Sequence, residues 1–204
     1  KYKTLFQHLA SWGFIVAGNE DGGSWDGRSS DQTLDYILRQ NEDPDSLFYQ
    51  KIDVDRIGIS GHSQGGAGVF NAITERSRSP LYKTAVALTP THEAGAAALG
   101  WHYDLEQVNI PLFLMAGTQG EFETELVIPL ESMEEMYEKL GADKVMARKT
   151  GCEHGQTLYA ADGYVTAWFM WQLQGDQEAA AAFTGPEPEL LSNPLYQNQR
   201  AALS

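Results

Sequence analysis

The sequence has little cysteine, little positive charge and no long apolar run, and each shortage narrows the possible functions. Cys152 is the only cysteine, so no disulfide can form within the chain. No stretch of about 18 consecutive apolar residues occurs, so the sequence predicts no membrane-spanning helix. Lys and Arg number 14 against 28 Asp and Glu, and the formal net charge of -14 repels nucleic acid and anionic membranes. We therefore expect neither as a partner, although an acidic surface also serves solubility alone.

The rest of the composition is that of an ordinary globular chain, with 42% hydrophobic and 21% charged residues. Short apolar runs alternate with segments of helical periodicity, which predicts an α/β fold with a mostly parallel open sheet and helices on both faces. The predicted strands cover residues 14–18, 54–60, 84–90, 111–117 and 144–150. We expect a core over residues 1–175 and a proline-containing C-terminal extension, 176–204, that packs on the core or frays from it.

A cluster of glycines surrounds one serine where a predicted strand meets a predicted helix. Gly61-His62-Ser63-Gln64-Gly65 matches the G-x-S-x-G pattern of a nucleophile elbow, a tight turn that lifts a serine hydroxyl clear of the sheet. Gly61 and Gly65 leave room for the crowded backbone of such a turn. A phosphate-binding loop matches poorly, because the lysine of that motif is missing. Ser63 is therefore the candidate nucleophile, and it needs a base to take its proton.

Five histidines compete for the role of this base. His154 directly follows the last predicted strand, and ligands of an open α/β sheet gather at the carboxyl ends of its strands. It also gives the chain order serine, acid, histidine that the motif requires. His8 lies within a predicted helix and His62 within the elbow, whereas His92 and His102 follow an earlier strand. We expect His154 to be the base, and His92 and His102 to be pocket-rim or surface residues.

The third member of such a site is an acid that orients the imidazole and stabilises its cation. It should follow the strand at residues 111–117, because Asp104 and Asp143 precede strands and so lie at the opposite edge of the sheet. Three candidates remain in the segment GTQGEFETELVIP, namely Glu121, Glu123 and Glu125. The residue pattern alone leaves the choice among them open.

Several of these segments together resemble a known superfamily. YKTLFQHLASWGFIVA, GHSQGG, VALTPTHE, IPLFLMAGT and GCEHG resemble α/β-hydrolases of the cutinase and polyester-hydrolase type, with chlorophyllase-like and dienelactone hydrolases as broader relatives. The resemblance covers residues 1–175 and implies hydrolysis of small or polymeric carboxylic esters with no cofactor and no metal. On the matching positions it implies Ser63 as nucleophile, His154 as base and the backbone N–H of Gln64 as one oxyanion donor.

One departure from the cutinase pattern concerns the substrate pocket. Cutinases have a tryptophan between the proline and the histidine of TP-W-H, where this chain has Thr91. An aromatic clamp on a bulky acyl group is therefore not expected at this position. Thr91 and His92 remain candidate substrate-binding residues, because they follow a strand at the active edge of the sheet.

The other departure concerns the acid, which in cutinases is an aspartate within a D-x-x-[AV]-P pattern. Counting back from Pro129 places Glu125 at this position, whereas counting forward from Gly117 places Glu121 there, and Glu123 lies between them. The spacing on the helix side varies less in the family than that on the strand side. We therefore rank Glu125 first and Glu123 second, which gives a Ser-His-Glu triad.

The resemblance also implies a strand before the first helix of this sequence. In the family that strand lies centrally, between the strands matching residues 14–18 and 54–60, and its loop supplies a second oxyanion donor. We expect an N-terminally incomplete core whose missing strand comes from an upstream segment or another chain, since an unpaired central edge is costly. The missing strand and oxyanion donor motivate a second hypothesis, in which the chain is a non-catalytic binding or scaffold domain. An acyltransferase is a further alternative, because it would use the same triad. The sequence names neither the ester nor the compartment.

Overall fold

A five-stranded sheet forms the centre of the computed structural model, which describes residues 2–204. The strands are β1 (Ile57–His62), β2 (Tyr82–Leu88), β3 (Leu112–Gly117), β4 (Lys144–Lys149) and β5 (Tyr196–Ala202). They are adjacent in that order; β1 to β4 run parallel, and β5 pairs antiparallel with β4. The predicted mostly parallel open sheet is confirmed.

Helices follow most of the strands, as the alternating sequence pattern predicts. The α-helices are α1 (Lys3–Ser11), α2 (Arg28–Glu42), α3 (Gln64–Thr74), α4 (Glu93–Ala98), α5 (Leu130–Lys139), α6 (Thr157–Ala160), α7 (Asp162–Phe169), α8 (Gln177–Ala180) and α9 (Glu189–Ser192). Tighter 3-10 turns lie at Ser24–Asp26, Ser79–Leu81, Leu105–Gln107 and His154–Gln156, and π-helical turns at Phe122–Val127 and Met170–Gln174. Within residues 2–204, no helix combines the length and apolar character needed to cross a bilayer.

Both faces of the sheet are covered because successive strand residues point in opposite directions. Leu112 and Leu114 of β3 pack with residues of α2, α3 and α5 on one face. Phe113 and Met115 pack with residues of α1 and α7 on the other. Every residue of β3 is buried, as expected of a central strand that is covered on both sides.

The predicted strand at residues 14–18 is wrong, whereas the other four predicted strands correspond to β1 to β4. A strand needs a neighbour for its backbone hydrogen bonds, and within residues 2–204 the sheet ends at β1 on this side. A cavity of ≈ 680 Å³ is lined both by this segment, through Phe14 and Val16, and by β1, through Gly58 and Ile59. Residues 14–18 therefore have the composition of a strand, but they do not form one because no strand lies beside them.

The C-terminal residues complete the sheet at its other edge. The prediction that residues 144–150 form the last strand is wrong, because β5 follows and pairs with β4. Phe183, Leu190 and Tyr196 are buried in the same core as α7, so residues 176–204 pack on the core. Sequence patterning missed β5 because YQNQRAA is largely polar, which an edge strand tolerates.

Candidate active site

Ser63 lies at the sharp turn between β1, which ends at His62, and α3, which begins at Gln64. Its backbone adopts φ 61° and ψ -120°, a conformation that costs a non-glycine residue on the order of 1–3 kcal/mol. The turn is so tight that a Cβ on Gly61 would lie 2.0 Å from the carbonyl oxygen of Gly65. The strand, the strained serine and the helix of a nucleophile elbow are therefore all present.

Backbone hydrogen bonds from the neighbouring strand hold the strained serine in place. The Ser63 N–H donates to the Leu88 carbonyl of β2 at 2.9 Å. The Ser63 carbonyl accepts from the N–H groups of Gly66 at 2.9 Å and Thr91 at 3.4 Å. Because these contacts come from β2, its following loop and α3 together, the fold offsets the strain of the turn.

His154 and Glu123 form a hydrogen-bonded pair at the carboxyl edge of the sheet. Nδ1 of His154 lies 2.7 Å from Oε2 of Glu123. A carboxylate only accepts hydrogen bonds, so Nδ1 is the donor, and in the neutral imidazole this places the lone pair on Nε2. The Glu123 side chain is fully buried, whereas the His154 side chain is 17% exposed. A partly exposed base backed by a buried acid is the arrangement that a serine nucleophile requires.

The ranking of Glu125 ahead of Glu123 is wrong on this geometry, since Glu123 is the carboxylate at His154 and the other two candidates are exposed. Residues Phe122–Val127 form a π-helical turn, in which the Ile128 N–H donates to the Glu123 carbonyl, five residues back. This turn contains one more residue than an α-helical turn. Such an irregular turn changes which residue points inward, and counting back from Pro129 stops at Glu125, two positions after Glu123.

The side chains of His62 and Phe122 lie beside this pair, which the sequence analysis did not predict. The ring of His62 lies 4.6 Å from that of His154, centroid to centroid, and its Nε2 is 2.8 Å from the His154 carbonyl oxygen. Phe122 packs edge-on against the His154 ring at 5.0 Å and is 57% exposed. His62 immediately precedes Ser63, so its contact places His154 next to the elbow. Only the fold reveals this, because the contact joins residues that are distant in sequence.

Gln64, the residue after Ser63, is fixed by its side chain. Oε1 of Gln64 accepts from the N–H of Ser24 at 3.0 Å and from its hydroxyl at 3.3 Å, which ties the elbow to the turn Ser24–Asp26. The Gln64 backbone N–H lies in the first turn of α3, where helix geometry supplies no acceptor. A free N–H at a helix N-terminus suits developing negative charge. The oxyanion role of Gln64 stays a prediction that this placement supports.

Thr91 and His92 are held mainly by backbone groups. The Thr91 carbonyl accepts from the Tyr103 hydroxyl at 2.7 Å, and the residue is buried. In His92, Nδ1 lies 2.9 Å from the Val127 carbonyl oxygen, and Nε2 accepts from the Gly95 N–H at 3.2 Å. Both ring nitrogens of His92 are therefore engaged in fixing α4 and its surroundings. A substrate contact stays a prediction for Thr91, and His92 acts instead as a helix cap.

The lone cysteine lies close to the buried acid but is poorly suited to nucleophilic chemistry. Burial, reinforced by the charge of Glu123, raises the pKa of the Cys152 thiol to about 11. At neutral pH the thiol therefore stays protonated, and the thiolate is the reactive form of cysteine. Within residues 2–204, no three His, Cys, Asp or Glu side chains are grouped as metal ligands would be. Ser63 therefore remains the candidate nucleophile.

Comparisons with known proteins agree with this geometry. A family model described as PET hydrolase-like matches residues 3–188. The chain is 33% identical over 93 residues to Cutinase est2 of Thermobifida alba, and 32% identical over 93 residues to Cutinase 2 of Thermobifida cellulosilytica and Cutinase cut1 of Thermobifida fusca. Each alignment covers 43% of this chain but only 29%, 33% and 27%, respectively, of those proteins. Because the family model covers most of the sequence, this chain belongs to the PET hydrolase-like family of α/β-hydrolases.

Proposed function

We propose that this chain is a serine hydrolase that cleaves carboxylic esters through an acyl-enzyme, with Ser63, His154 and Glu123 as its triad. The observation that carries the proposal is the hydrogen bond between buried Glu123 and His154, whose ring contacts His62, the residue directly before the strained Ser63. The order of serine, acid and histidine along the chain is that of α/β-hydrolases. Family membership and the cutinase names of the relatives support the same class of reaction.

In the proposed reaction, Oγ of Ser63 attacks the ester carbonyl carbon while Nε2 of His154 takes the hydroxyl proton. The tetrahedral intermediate then collapses, its bond to the alcohol oxygen breaks, and the imidazolium returns the proton to the departing alcohol. Water attacks the acyl-Ser63 carbonyl with the same nitrogen as base, which releases the carboxylic acid and restores the serine. Glu123 keeps the hydrogen on Nδ1 and stabilises the imidazolium in both steps.

Negative charge develops on the carbonyl oxygen in each tetrahedral intermediate. We assign one donor to this oxygen, the backbone N–H of Gln64 at the start of α3. The hydrogen bonds from Ser24 to the Gln64 side chain fix this residue, so the N–H need not reorganise during the reaction.

The expected substrates are neutral esters, small or polymeric. The formal net charge of -14 disfavours polyanions at long range. Phe122 presents an exposed apolar ring against His154, and Thr91 leaves no aromatic clamp at the cutinase tryptophan position. Short or flexible acyl groups therefore suit the site better than a group that needs an aromatic ring on each side.

We expect turnover of p-nitrophenyl acetate, butyrate and octanoate, and none of the matched p-nitroanilides, because an amide carbonyl is less electrophilic than an ester carbonyl and p-nitrophenolate is the better leaving group. A chain-length series monitored at 405 nm measures this. The p-nitroanilides serve as the substrate control, and added methanol tests whether an alcohol competes with water as acyl acceptor. Ester hydrolysis no faster than in buffer alone would contradict the proposed activity and favour a non-catalytic scaffold.

The open edge of β1 motivates a proposal about a partner. We propose that an additional extended segment, from the same polypeptide or from another chain, pairs with β1 and occupies the cavity beside it. β1 ends the sheet within residues 2–204, and its residues are only partly buried although β2 and β3 are deeply buried. Phe14 and Val16 supply an apolar wall for such a strand. Unpaired strand edges recruit other strands because their backbone groups lack partners.

Hydrogen exchange tests this pairing in the 204-residue chain and in a polypeptide extended upstream by several tens of residues. We expect the amides of β1 to exchange more slowly in the longer form, and the shorter form to self-associate on size exclusion, since its edge is free to pair. The amides of β3, paired on both sides already, serve as the internal control. Equal protection of β1 in two monodisperse monomers would contradict the proposal.

A further inference from the structure

A buried arginine lies beside the candidate triad acid. Arg148 is in β4, on the same face of the strand as Met146, and only 7% of it is exposed. Its Nε donates to the Gly117 carbonyl at the end of β3, at 2.9 Å. A buried guanidinium is uncommon because removing its charge from water is costly. We therefore asked which interactions of the Arg148 guanidinium offset this cost so close to the candidate site.

Gly117, which accepts the hydrogen bond from Arg148, also donates one to the candidate acid, Glu123. The Gly117 N–H donates to Oε1 of Glu123 at 2.6 Å, while Oε2 of that carboxylate pairs with His154. A Cβ at Gly117 would lie 2.2 Å from the Cys152 carbonyl oxygen, so this backbone is tightly confined. Arg148, Gly117, Glu123 and His154 therefore form one continuous chain of hydrogen bonds.

Charge links the same residues. Burial lowers the pKa of the Arg148 guanidinium, and the negative charges of Glu123 and Glu134 act in the opposite direction. An arginine stays protonated despite such burial. Glu123 is fully buried, and within residues 2–204 its carboxylate accepts from the Gly117 N–H and pairs with Nδ1 of His154. Arg148 and Glu123 are therefore an interacting pair of opposite charges.

We propose that Arg148 is the positioning residue of the triad: it anchors Gly117, whose N–H holds Glu123 in line with His154, and its positive charge offsets the charge of the carboxylate at the imidazole. The catalytic meaning of this role rests on the proposed esterase function, whereas the electrostatic coupling does not. Arg148 touches neither the nucleophile nor the base; it acts through the acid.

The other charged and titratable groups around the pair are few. His62 of β1 faces His154, and Glu134 of α5 faces Arg148. The Cys152 thiol stays neutral at pH 7 because its pKa is about 11. Removing Arg148 therefore leaves an excess of negative charge around the imidazole, which favours its protonated form.

NMR titration of the His154 imidazole measures this directly, with the His154→Gln variant used to assign the resonance. In Arg148→Gln, the loss of the cation should raise the His154 pKa by about half a unit or more. Arg148→Lys should restore the wild-type pKa, because it retains the charge. Arg200→Gln is the matched control: Arg200 pairs with Glu138 on the exposed edge of the sheet, and its loss should leave the His154 pKa unchanged.

The acid limb of kcat/KM should move with the imidazole pKa, toward higher pH in Arg148→Gln and not in Arg148→Lys. A purely structural role would lower kcat/KM equally at every pH and leave the limb in place. Arg148→Met, of similar length and no charge, replaces the Gln variant if that variant does not fold, as judged by thermal melting. If neither neutral variant folds, a His154 pKa that differs between Arg148→Lys and wild type contradicts the proposal, and an unchanged value supports it.

The two claims fail separately. A wild-type protein that lacks ester turnover but shows the His154 shift in Arg148→Gln contradicts the proposed function and retains the coupling. A folded Arg148→Gln with an unchanged His154 pKa, or a shift equal to that in Arg200→Gln, overturns the role of Arg148 even in an active esterase.

Discussion

Ser63→Ala should abolish ester turnover, with kcat/KM falling by something on the order of a millionfold, as when the nucleophile of a triad that acts as a unit is lost. The reason lies in the elbow: the strained backbone of Ser63 exists to present one hydroxyl above the sheet, and alanine keeps the turn but removes the attacking atom. His154→Ala should cost a comparable factor, because without a base the serine hydroxyl stays protonated.

Ser60→Ala is the matched control for this result, since Ser60 lies in β1, is exposed, and precedes the elbow. Initial rates with p-nitrophenyl butyrate measure all three variants, and thermal melting establishes that each is folded. A Ser63→Ala protein whose rate stays within about tenfold of wild type would show that another group performs the chemistry.

Glu123→Gln should lower kcat/KM by about ten-thousandfold, because an amide neither stabilises the imidazolium nor holds the hydrogen on Nδ1 as a carboxylate does. The substitution keeps the shape of a fully buried side chain, so the loss reports charge and tautomer rather than packing. The backbone N–H of Gly117, which donates to Oε1, still finds an amide oxygen in the variant.

Glu125→Gln provides the paired control: it is the same chemical change two residues away, at an exposed position. Its rate should stay close to wild type. A larger loss in Glu125→Gln than in Glu123→Gln would show that the acid reaches His154 in a different arrangement of the π-helical turn, and would return the assignment to the ranking made from the sequence.

How far the sequence predicts this site depends on whether a residue's role is local. Ser63 could be identified because a tight strand-to-helix turn has local requirements, above all the absence of a Cβ at Gly61. His154 followed from topology, since it comes after the last parallel strand. Glu123 did not follow, because it lies two positions from both counted residues, and the π-helical turn that directs it inward is not visible at either end of the loop.

The rest of the site and fold depends on contacts between distant segments. His62 reaches His154 across 92 positions, and Arg148 reaches Gly117 across 31; no spacing rule predicts either contact. The run at residues 14–18 has the composition of a strand, but strand formation depends on a neighbour rather than on composition. β5 is the reverse case, a polar segment made into a strand by pairing with β4.

The most direct test of the central claim is labelling of the folded protein with a fluorophosphonate, followed by intact-mass analysis and peptide mapping. An activated serine becomes phosphonylated, whereas an ordinary serine does not. We predict one adduct, on the peptide that contains Ser63, absent in Ser63→Ala and formed far more slowly in Glu123→Gln than in Glu125→Gln. A folded wild-type protein that takes up no label, or takes it up at another residue, would contradict the assignment of Ser63, His154 and Glu123 as a catalytic triad.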